Sequence, residues 1–234
     1  MSVTTALVLQ HEPGAPAGLL GDALRAAGLR VDERVLAAGE AAPATLDGYG
    51  ALIVLGGDMN LGEEDRFPFL LAERELLRRA VADGLPTLGI CLGAQQLAAS
   101  CGGGVRRRAS LGLGWRPFTV LRDDPLLAGV ETGVRAFHWR WYACRLPEHA
   151  VLVATGDGDP QVFRIGPAAW GVQFHPEVTF DILAGWFRDD AAGAAEAAPF
   201  GADGLLAESR VRLAASAALC ERLAANFLTA TGLC

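Results

Sequence analysis

Short apolar segments that end at turn residues recur along the first 190 residues, and helical patterns fill the intervals between them. Uninterrupted apolar segments of this length are typical of parallel strands that are buried on both faces of a sheet. The segments predicted as strands are Thr5–Gln10, Ala51–Leu55, Thr87–Ile90 and Trp170–Phe174. Their alternation with helices predicts an α/β fold with a doubly wound, mostly parallel sheet, in which ligands bind at the C-terminal ends of the strands.

Two of the intervals contain clear amphipathic helices, predicted over Ala17–Ala27 and Leu70–Ala82. Residues 116–174 differ, because turn signals rather than long helices separate the strands predicted there. These strands are Pro117–Arg122, Ala150–Ala154 and Gln161–Ile165. The pattern predicts a small antiparallel extension of the main sheet.

The C-terminal part of the chain is predicted to carry an added helix. Residues 1–190 form the predicted domain, and residues 191–204, rich in Ala, Gly, Asp and Pro, are predicted as a linker or surface loop. Residues 205–234 are predicted as an amphipathic helix, because apolar side chains recur there every seven positions. Such a helix must bury one side against the body of the protein or against a second chain, and we expect it to pack on its own domain.

Composition excludes several functions. All 20 basic residues are arginine, so the chain has neither a Schiff-base lysine nor a phosphate loop of the GxxxxGK[ST] type. The net charge of −7 argues against nucleic-acid binding, and no apolar stretch reaches the roughly 18 residues of a membrane span. Five scattered cysteines without a CxxC pair form neither a zinc site nor a disulfide framework. We therefore predict a cytoplasmic protein without a metal or cofactor.

The strongest local signal is a cysteine between two glycines at a strand-to-helix junction. The predicted strand Thr87–Ile90 runs into Gly89-x-Cys91-x-Gly93, and a helix is predicted over Leu92–Ser100. This is the nucleophile-elbow pattern with sulfur in place of the serine oxygen, and a helix N-terminus favours the reactive thiolate. The alternative is a buried apolar cysteine at a strand end. The flanking glycines favour the catalytic interpretation.

Among the four histidines, His175 is the best candidate for the base that a cysteine nucleophile needs. It follows the strand Trp170–Phe174, so in a parallel sheet it emerges at the same edge as Cys91. Glu177 lies two residues further on and can orient the imidazole, which completes a Cys–His–Glu triad. Taken alone, His175 could be a capping residue and Glu177 a first-turn helix acid.

The other histidines are predicted to have no catalytic part. His138 lies among aromatic residues and is predicted to be packed, whereas His11 and His149 are predicted in loops that face solvent.

A different element completes the candidate site: Gly56-Gly57 ends another predicted strand. A backbone N–H there, paired with the N–H of Leu92, would form an oxyanion hole.

Together these elements resemble the class I, triad-type glutamine amidotransferases, and in particular stand-alone proteins related to the amidotransferase domain of GMP synthase. The likeness covers about residues 4–185. The residues that carry it are Val8–Glu12, Gly56–Asn60, Leu85–Gln95 with its GICLGAQ motif, Leu113–Trp115 and Gln173–Glu177.

The resemblance implies a flavodoxin-like fold, a small-molecule substrate and a role for each matching residue. Cys91 would attack the side-chain amide of glutamine, His175 would shuttle protons, and Glu177 would orient His175. The backbones of Gly57 and Leu92 would hold the oxyanion. Gln95 would contact the substrate. Ammonia would leave before water hydrolyses the γ-glutamyl thioester, and in fused or paired relatives a synthetase accepts the ammonia.

The chain departs from the family pattern where relatives frame the amino-acid end of the substrate. His138-Trp139-Arg140-Trp141-Tyr142 stands where relatives usually have a histidine–aspartate pair, Gly112 where an acid is frequent, and Asp58 where proline is common. Arg140 could bind a substrate carboxylate bidentately or stack between two tryptophans. Two alternatives to a glutaminase therefore stay open. One is a hydrolase of another γ-glutamyl amide or peptide, and the other is a regulatory subunit that is active only with a synthetase partner.

Overall fold

The computed structural model describes residues 3–190 and 201–233, and its centre is a mixed sheet of eight strands. Five strands run parallel: β1 (Thr5–Gln10), β2 (Arg30–Val35), β3 (Ala51–Val54), β4 (Thr87–Ile90) and β10 (Ala169–Val172). Three antiparallel strands continue the sheet beyond β10: β9 (Asp159–Ile165), β8 (Val151–Gly156) and β6 (Thr119–Val120). The strand order is β2-β1-β3-β4-β10-β9-β8-β6.

Helices cover both faces of this sheet. They are α1 (Gly18–Ala26), α2 (Phe69–Ala82), α3 (Leu92–Ser100), α4 (Phe180–Asp189) and α5 (Gly201–Thr231), with short 3₁₀ turns at Leu36–Ala38 and Pro125–Leu127. The predicted fold class, a doubly wound and mostly parallel α/β sheet with a small antiparallel extension and an added C-terminal helix, is confirmed.

The burial of β1 explains why its sequence is uninterruptedly apolar. Ala6 and Val8 belong to the cluster on one face of the sheet, with side chains of α1 and α5, whereas Leu7 and Leu9 belong to the cluster on the other face, with side chains of α2 and α3. All four residues have no solvent exposure. A strand covered on both faces has no polar side to present to water.

A separate two-stranded ribbon was not predicted. It pairs β5 (Gly104–Pro117) with β7 (Arg135–Arg145) in antiparallel register, with an irregularity between Arg107 and Gly112. The predicted strand Pro117–Arg122 is correspondingly reduced to β6, which has two residues. An isolated bridge joins Phe137 of the ribbon to His175 beyond β10, so the ribbon lies beside the C-terminal edge of the main sheet.

The C-terminal helix begins earlier than predicted. It starts at Gly201 rather than at residue 205, so 201–204 belong to the helix, whereas 191–200 of the predicted linker lie outside the described residues. Its second half is buried against the domain, where Phe227 meets the ring of Trp170 edge-on at 6.0 Å. No helix within residues 3–190 and 201–233 is both long and apolar enough to cross a membrane.

Candidate active site

Cys91 lies at a sharp turn between β4 and α3. Its backbone has φ +49° and ψ −102°, a positive-φ conformation that is strained for a residue with a side chain. The turn is so tight that neither flanking glycine has room for a side chain. A Cβ atom on Gly89 would lie 2.5 Å from the Gly93 carbonyl oxygen, and a Cβ atom on Gly93 would lie 2.1 Å from the Val54 carbonyl oxygen. Both glycines of the elbow are therefore required by close backbone approaches. The sulfur sits at the N-terminus of α3, where oriented N–H groups favour an anion.

His175 and Glu177 form a buried pair in the loop after β10. Nδ1 of His175 lies 2.7 Å from Oε1 of Glu177, and the two residues are 4% and 3% exposed. The His175 backbone N–H donates to the Phe137 carbonyl at 2.8 Å, and Trp186 packs edge-on against the imidazole with 5.0 Å between ring centroids. The position of the imidazole is thus fixed by three contacts: its backbone with Phe137, its Nδ1 with Glu177, and its ring with Trp186.

The structure brings this pair to Cys91. A Cβ atom built on Gly56 would lie 2.8 Å from Cε1 of His175 and 3.5 Å from Cβ of Cys91, so both side chains lie against the same glycine. Burial lowers the pKa of His175, but Cys91 and Glu177 together raise it by more, to about 10. Because Glu177 occupies Nδ1, Nε2 is the nitrogen left for the sulfur. The arrangement thus places a protonated imidazole beside the sulfur of Cys91.

A cavity of about 230 Å³ opens beside these residues. Its lining includes Cys91 and His175, and the indoles of Trp139 and Trp186 also line it. The remaining lining residues are Glu12, Pro13, Gly14, Ala15, Gly57, Asp58, Asp189 and Asp190. Burial raises the pKa of both Glu12 and Asp58. The cavity therefore combines a nucleophile, aromatic walls and an acidic rim, and its size suits a small molecule.

The two predicted oxyanion donors belong to two different segments beside Cys91. Gly57 lines the cavity in the loop after β3, and Leu92 is the first residue of α3, directly after Cys91. The N–H of Gly93, one residue further, is already engaged by the Leu55 carbonyl at 3.0 Å. An oxyanion hole needs donors that converge on one oxygen, and the N–H groups of Gly57 and Leu92 are the candidates for that role.

The predicted substrate contacts lie elsewhere. Gln95 donates from Nε2 to the Tyr142 carbonyl at 3.3 Å, and Arg140 pairs with buried Asp159, with both terminal nitrogens 3.2 Å from Oδ2. Neither side chain is among the described residues that line the cavity. Burial and Arg108 lower the pKa of Arg140 to about 10. Arg140 thus has a partner within the chain itself.

The prediction that His11 faces solvent is wrong. His11 has no exposure, because its Nδ1 lies 3.0 Å from the Gly56 carbonyl and its Nε2 lies 2.8 Å from Glu73 of α2. A signal for this was present in the sequence: His11 directly follows β1, so it emerges at the same edge of the sheet as His175. His138 is packed as expected, with 3% exposure and a pKa held well below its usual value by burial and by Arg140.

Metal binding finds no support in the described ranges, where no group of three or more His, Cys, Asp or Glu side chains is arranged to hold an ion.

Comparison with known proteins gives a consistent result. The model of the family "glutamine amidotransferase class-I" matches residues 20–182, more than half of the chain. A glutamine amidotransferase-like protein of Salmonella typhimurium is 30% identical over 155 residues, which cover 63% of this chain and 65% of that protein. A glutamine-hydrolysing GMP synthase of Porphyromonas gingivalis is 34% identical over 142 residues, which cover 58% of this chain and 26% of that protein.

A solved structure is similar over nearly the whole length. The crystal structure of a glutamine amidotransferase from Thermotoga maritima superposes with a TM-score of 0.88 at 26% identity, and the match covers 99% of both chains. By contrast, the chain spans less than two thirds of the length of either curated relative.

Proposed function

The chain belongs to the class I glutamine amidotransferase family, and from that premise we propose that it hydrolyses the side-chain amide of glutamine to glutamate and ammonia with Cys91 as nucleophile. The observation that carries this proposal is the buried His175–Glu177 pair, 2.7 Å apart, beside the sulfur at the elbow. A thiolate, a proton carrier and a carboxylate that orients it are the parts that covalent amide hydrolysis needs.

The reaction has two halves. The Cys91 thiolate attacks the amide carbon, and the oxyanion that forms accepts hydrogen bonds from the N–H groups of Gly57 and Leu92. His175 gives its Nε2 proton to the amide nitrogen, so ammonia leaves and a γ-glutamyl thioester remains. Water then attacks the thioester and gives a proton to His175, the C–S bond breaks, and glutamate leaves. The thiolate and the imidazolium are restored.

The first experiment measures glutamate release from glutamine by the wild type and by Cys91→Ala. The proposal expects release by the wild type and none by the variant, with the fold of the variant intact by circular dichroism. Glutamate release at the wild-type rate in the variant would rule out Cys91 as the nucleophile.

A second candidate substrate is a different γ-glutamyl amide or peptide. The observation that favours it is the engagement of Arg140 by Asp159, because it leaves the altered segment 138–142 without a free guanidinium to frame the amino-acid end of glutamine. Turnover of glutamine is compared with that of γ-glutamyl amides of small amines. A preference of more than about tenfold for the latter, or about 1.4 kcal/mol in transition-state binding, would replace glutamine as the substrate.

A synthetase partner in trans is part of the proposal. The match to the P. gingivalis GMP synthase covers only 26% of that protein, so the matched part is one portion of a larger enzyme. Ammonia released by this chain would then be used by a separate protein. If the isolated chain were inactive and gained activity when a partner bound, the chain would be a regulated subunit. The mass of the protein in solution, measured with and without cell extract, tests for such a partner.

The proposed compartment is the cytoplasm. Cys91, Cys101, Cys144 and Cys220 are free thiols, which fits a reducing environment.

A further inference from the structure

A second buried histidine–glutamate pair lies behind the loop that carries Gly57. We propose that His11, supported by Glu73, is a positioning residue that fixes the Gly56–Gly57 peptide so that the Gly57 N–H faces the oxyanion. This inference rests on the proposed function, because that function assigns the N–H of Gly57 to the oxyanion hole. It adds a residue that touches neither the substrate nor the sulfur.

The loop after β1 holds the loop after β3 at two points. His11 donates from Nδ1 to the Gly56 carbonyl at 3.0 Å, and the next residue, Glu12, accepts the Asp58 N–H at 3.1 Å. These two hydrogen bonds lie on either side of Gly57. Both peptide groups that flank Gly57 are therefore tied to consecutive residues of one loop.

The planarity of the peptide bond transmits the position of His11 to the N–H of Gly57. In a trans peptide the C=O and the N–H point in opposite directions, so a donor that holds the Gly56 oxygen also fixes the direction of the Gly57 N–H. Gly57 and His11 are closely packed, because a Cβ atom on Gly57 would lie 2.7 Å from Cβ of His11. Loss of the hydrogen bond would allow the peptide to rotate.

Glu73 keeps His11 in the form that can donate. A carbonyl oxygen only accepts, so Nδ1 must carry a proton. Nε2 and Oε2 of Glu73 are 2.8 Å apart, a close ion pair that is not aligned as a hydrogen bond, and neither residue is exposed. Burial lowers the pKa of His11, but Glu73, the Gly56 carbonyl and Glu12 raise it by more. The donor is thus held in a buried and nearly neutral pair.

Two substitutions of His11 separate positioning from simple packing. The amide nitrogen of Asn lies about where Nδ1 of His lies, so His11→Asn can still donate to the Gly56 carbonyl but not reach Glu73. The amide of Gln lies about where Nε2 lies, so His11→Gln can still reach residue 73 but not Gly56. Both variants are made together with Glu73→Gln, which removes the buried carboxylate that either substitution would otherwise leave without a cation.

The kinetic readout is hydrolysis of glutamine and of γ-glutamyl-p-nitroanilide, relative to Glu73→Gln alone. We expect kcat to fall about 100-fold in the Gln variant with little change in KM, and the Asn variant to recover most of it. Alkylation of Cys91 by iodoacetamide should be unchanged in both, since displacement of iodide forms no oxyanion. Equal rates for the Asn and Gln variants, or a faster Gln variant, would overturn the proposal.

A spectroscopic readout does not depend on activity. The nitrogen-15 resonance of Gly57 should shift in the Gln variant and return towards its original position in the Asn variant, because the shift reports the hydrogen bond on the Gly56 carbonyl. If the wild type hydrolysed neither substrate, the proposed function would have failed. Identical Gly57 resonances in the two variants would instead overturn the positioning role of His11.

Discussion

Gly56 belongs to the loop that His11 holds, and it lies directly against the side chains of Cys91 and His175. A methyl group there would lie 2.8 Å from Cε1 of His175, closer than real contacts allow. We expect Gly56→Ala to displace the imidazole and to lower kcat by about 100-fold, since a shift of about 1 Å has this effect in an active site. The measurement is glutamate release at saturating glutamine.

The matched control is Gly104→Ala. Gly104 lies in β5, its φ is not positive, and a Cβ atom there would meet nothing within 4 Å. Activity equal to that of the wild type is expected. A Gly56→Ala variant with the same activity as this control would contradict the arrangement of His175 described above.

Glu177 holds the orientation of His175 and, together with Cys91, raises its pKa. The raised pKa, about 10, means that the imidazolium persists at neutral pH and is lost as the pH rises through about 10. Glu177→Gln removes one of the two charges that raise this pKa, so we expect the alkaline fall of kcat/KM to move to lower pH. We also expect kcat to drop by about 10²–10⁴-fold.

The test compares the pH–rate profile of Glu177→Gln with that of Asp181→Asn, which is the control. Asp181 is an exposed acid in the first turn of α4, so its loss changes the net charge by the same amount away from the imidazole. An unshifted profile in Glu177→Gln, or the same shift in both variants, would contradict the claim that Glu177 raises the pKa of His175.

At the scale of single residues, the local sequence predicts some residues of the candidate site and not others. Cys91 and His175 could be selected because each directly follows a predicted strand, and strands of a parallel sheet end at one edge. Glu177 could be selected because it lies two residues beyond His175. The partner of Arg140 could not be foreseen, because Asp159 belongs to a hairpin of the antiparallel extension and meets the ribbon only through the fold. His11 directly follows β1, which places it at the same edge of the sheet, but its local sequence gives no sign of the buried Glu73 of α2 that pairs with it.

Helix α5 is attached to the domain mainly through its second half. Phe227 has no exposure and packs edge-on against Trp170, whereas Val211 in the first half is 80% exposed. We expect Phe227→Ala to lower the free energy of unfolding by about 3–5 kcal/mol, the usual cost of a cavity of that size. Val211→Ala should change it by less than about 0.5 kcal/mol. Urea denaturation of both variants measures the difference, and equal midpoints would show that the packing of Phe227 contributes nothing to stability.

Some strands and helices could likewise be predicted from the sequence, and others could not. β1, β4 and α3 have the predicted bounds. β1 is one continuous apolar run, and the glycines on either side of Cys91 mark the junction between β4 and α3. β2 was missed because it is an edge strand with charged, partly exposed residues, so its sequence lacks the apolar run. The β5–β7 ribbon was missed because its long-range pairing leaves no local period.

The whole molecule is expected to lose stability in alkaline solution. Burial raises the pKa of the Cys144 thiol from 9.0 to about 12, and it also raises that of Cys220. A raised folded-state pKa stabilises the fold below the unfolded value, and this contribution disappears as the pH rises towards the folded value. Each thiol should therefore remove about 1.4 kcal/mol of stability per pH unit above about pH 9.

Thermal unfolding at about pH 8 and about pH 10.5 measures this loss. The double variant Cys144→Ala, Cys220→Ala should start less stable but lose less over this interval than the wild type. Cys101→Ala, which removes a partly exposed thiol, is the control and should behave as the wild type does. An equal loss in the double variant would show that these thiols do not cause it.

The topology places the residues of the candidate site at one edge of the sheet. The chain leaves β1 towards β2 on one side and reaches β3 on the other, so a crevice forms between the loops that follow β1 and β3. His11 and Gly57 lie in those two loops, and Cys91 and His175 follow the next two strands in the sheet. The site is thus a product of strand order, since its residues are spread along most of the chain.

The most direct test of the account is covalent labelling with an electrophilic glutamine analogue, followed by mass spectrometry of the digested protein. We predict a single adduct on the peptide that contains Cys91, its suppression by excess glutamine, and its absence in Cys91→Ala. An adduct on another cysteine, or labelling that glutamine does not suppress, would contradict the assignment of Cys91 as the nucleophile of a glutamine-binding site.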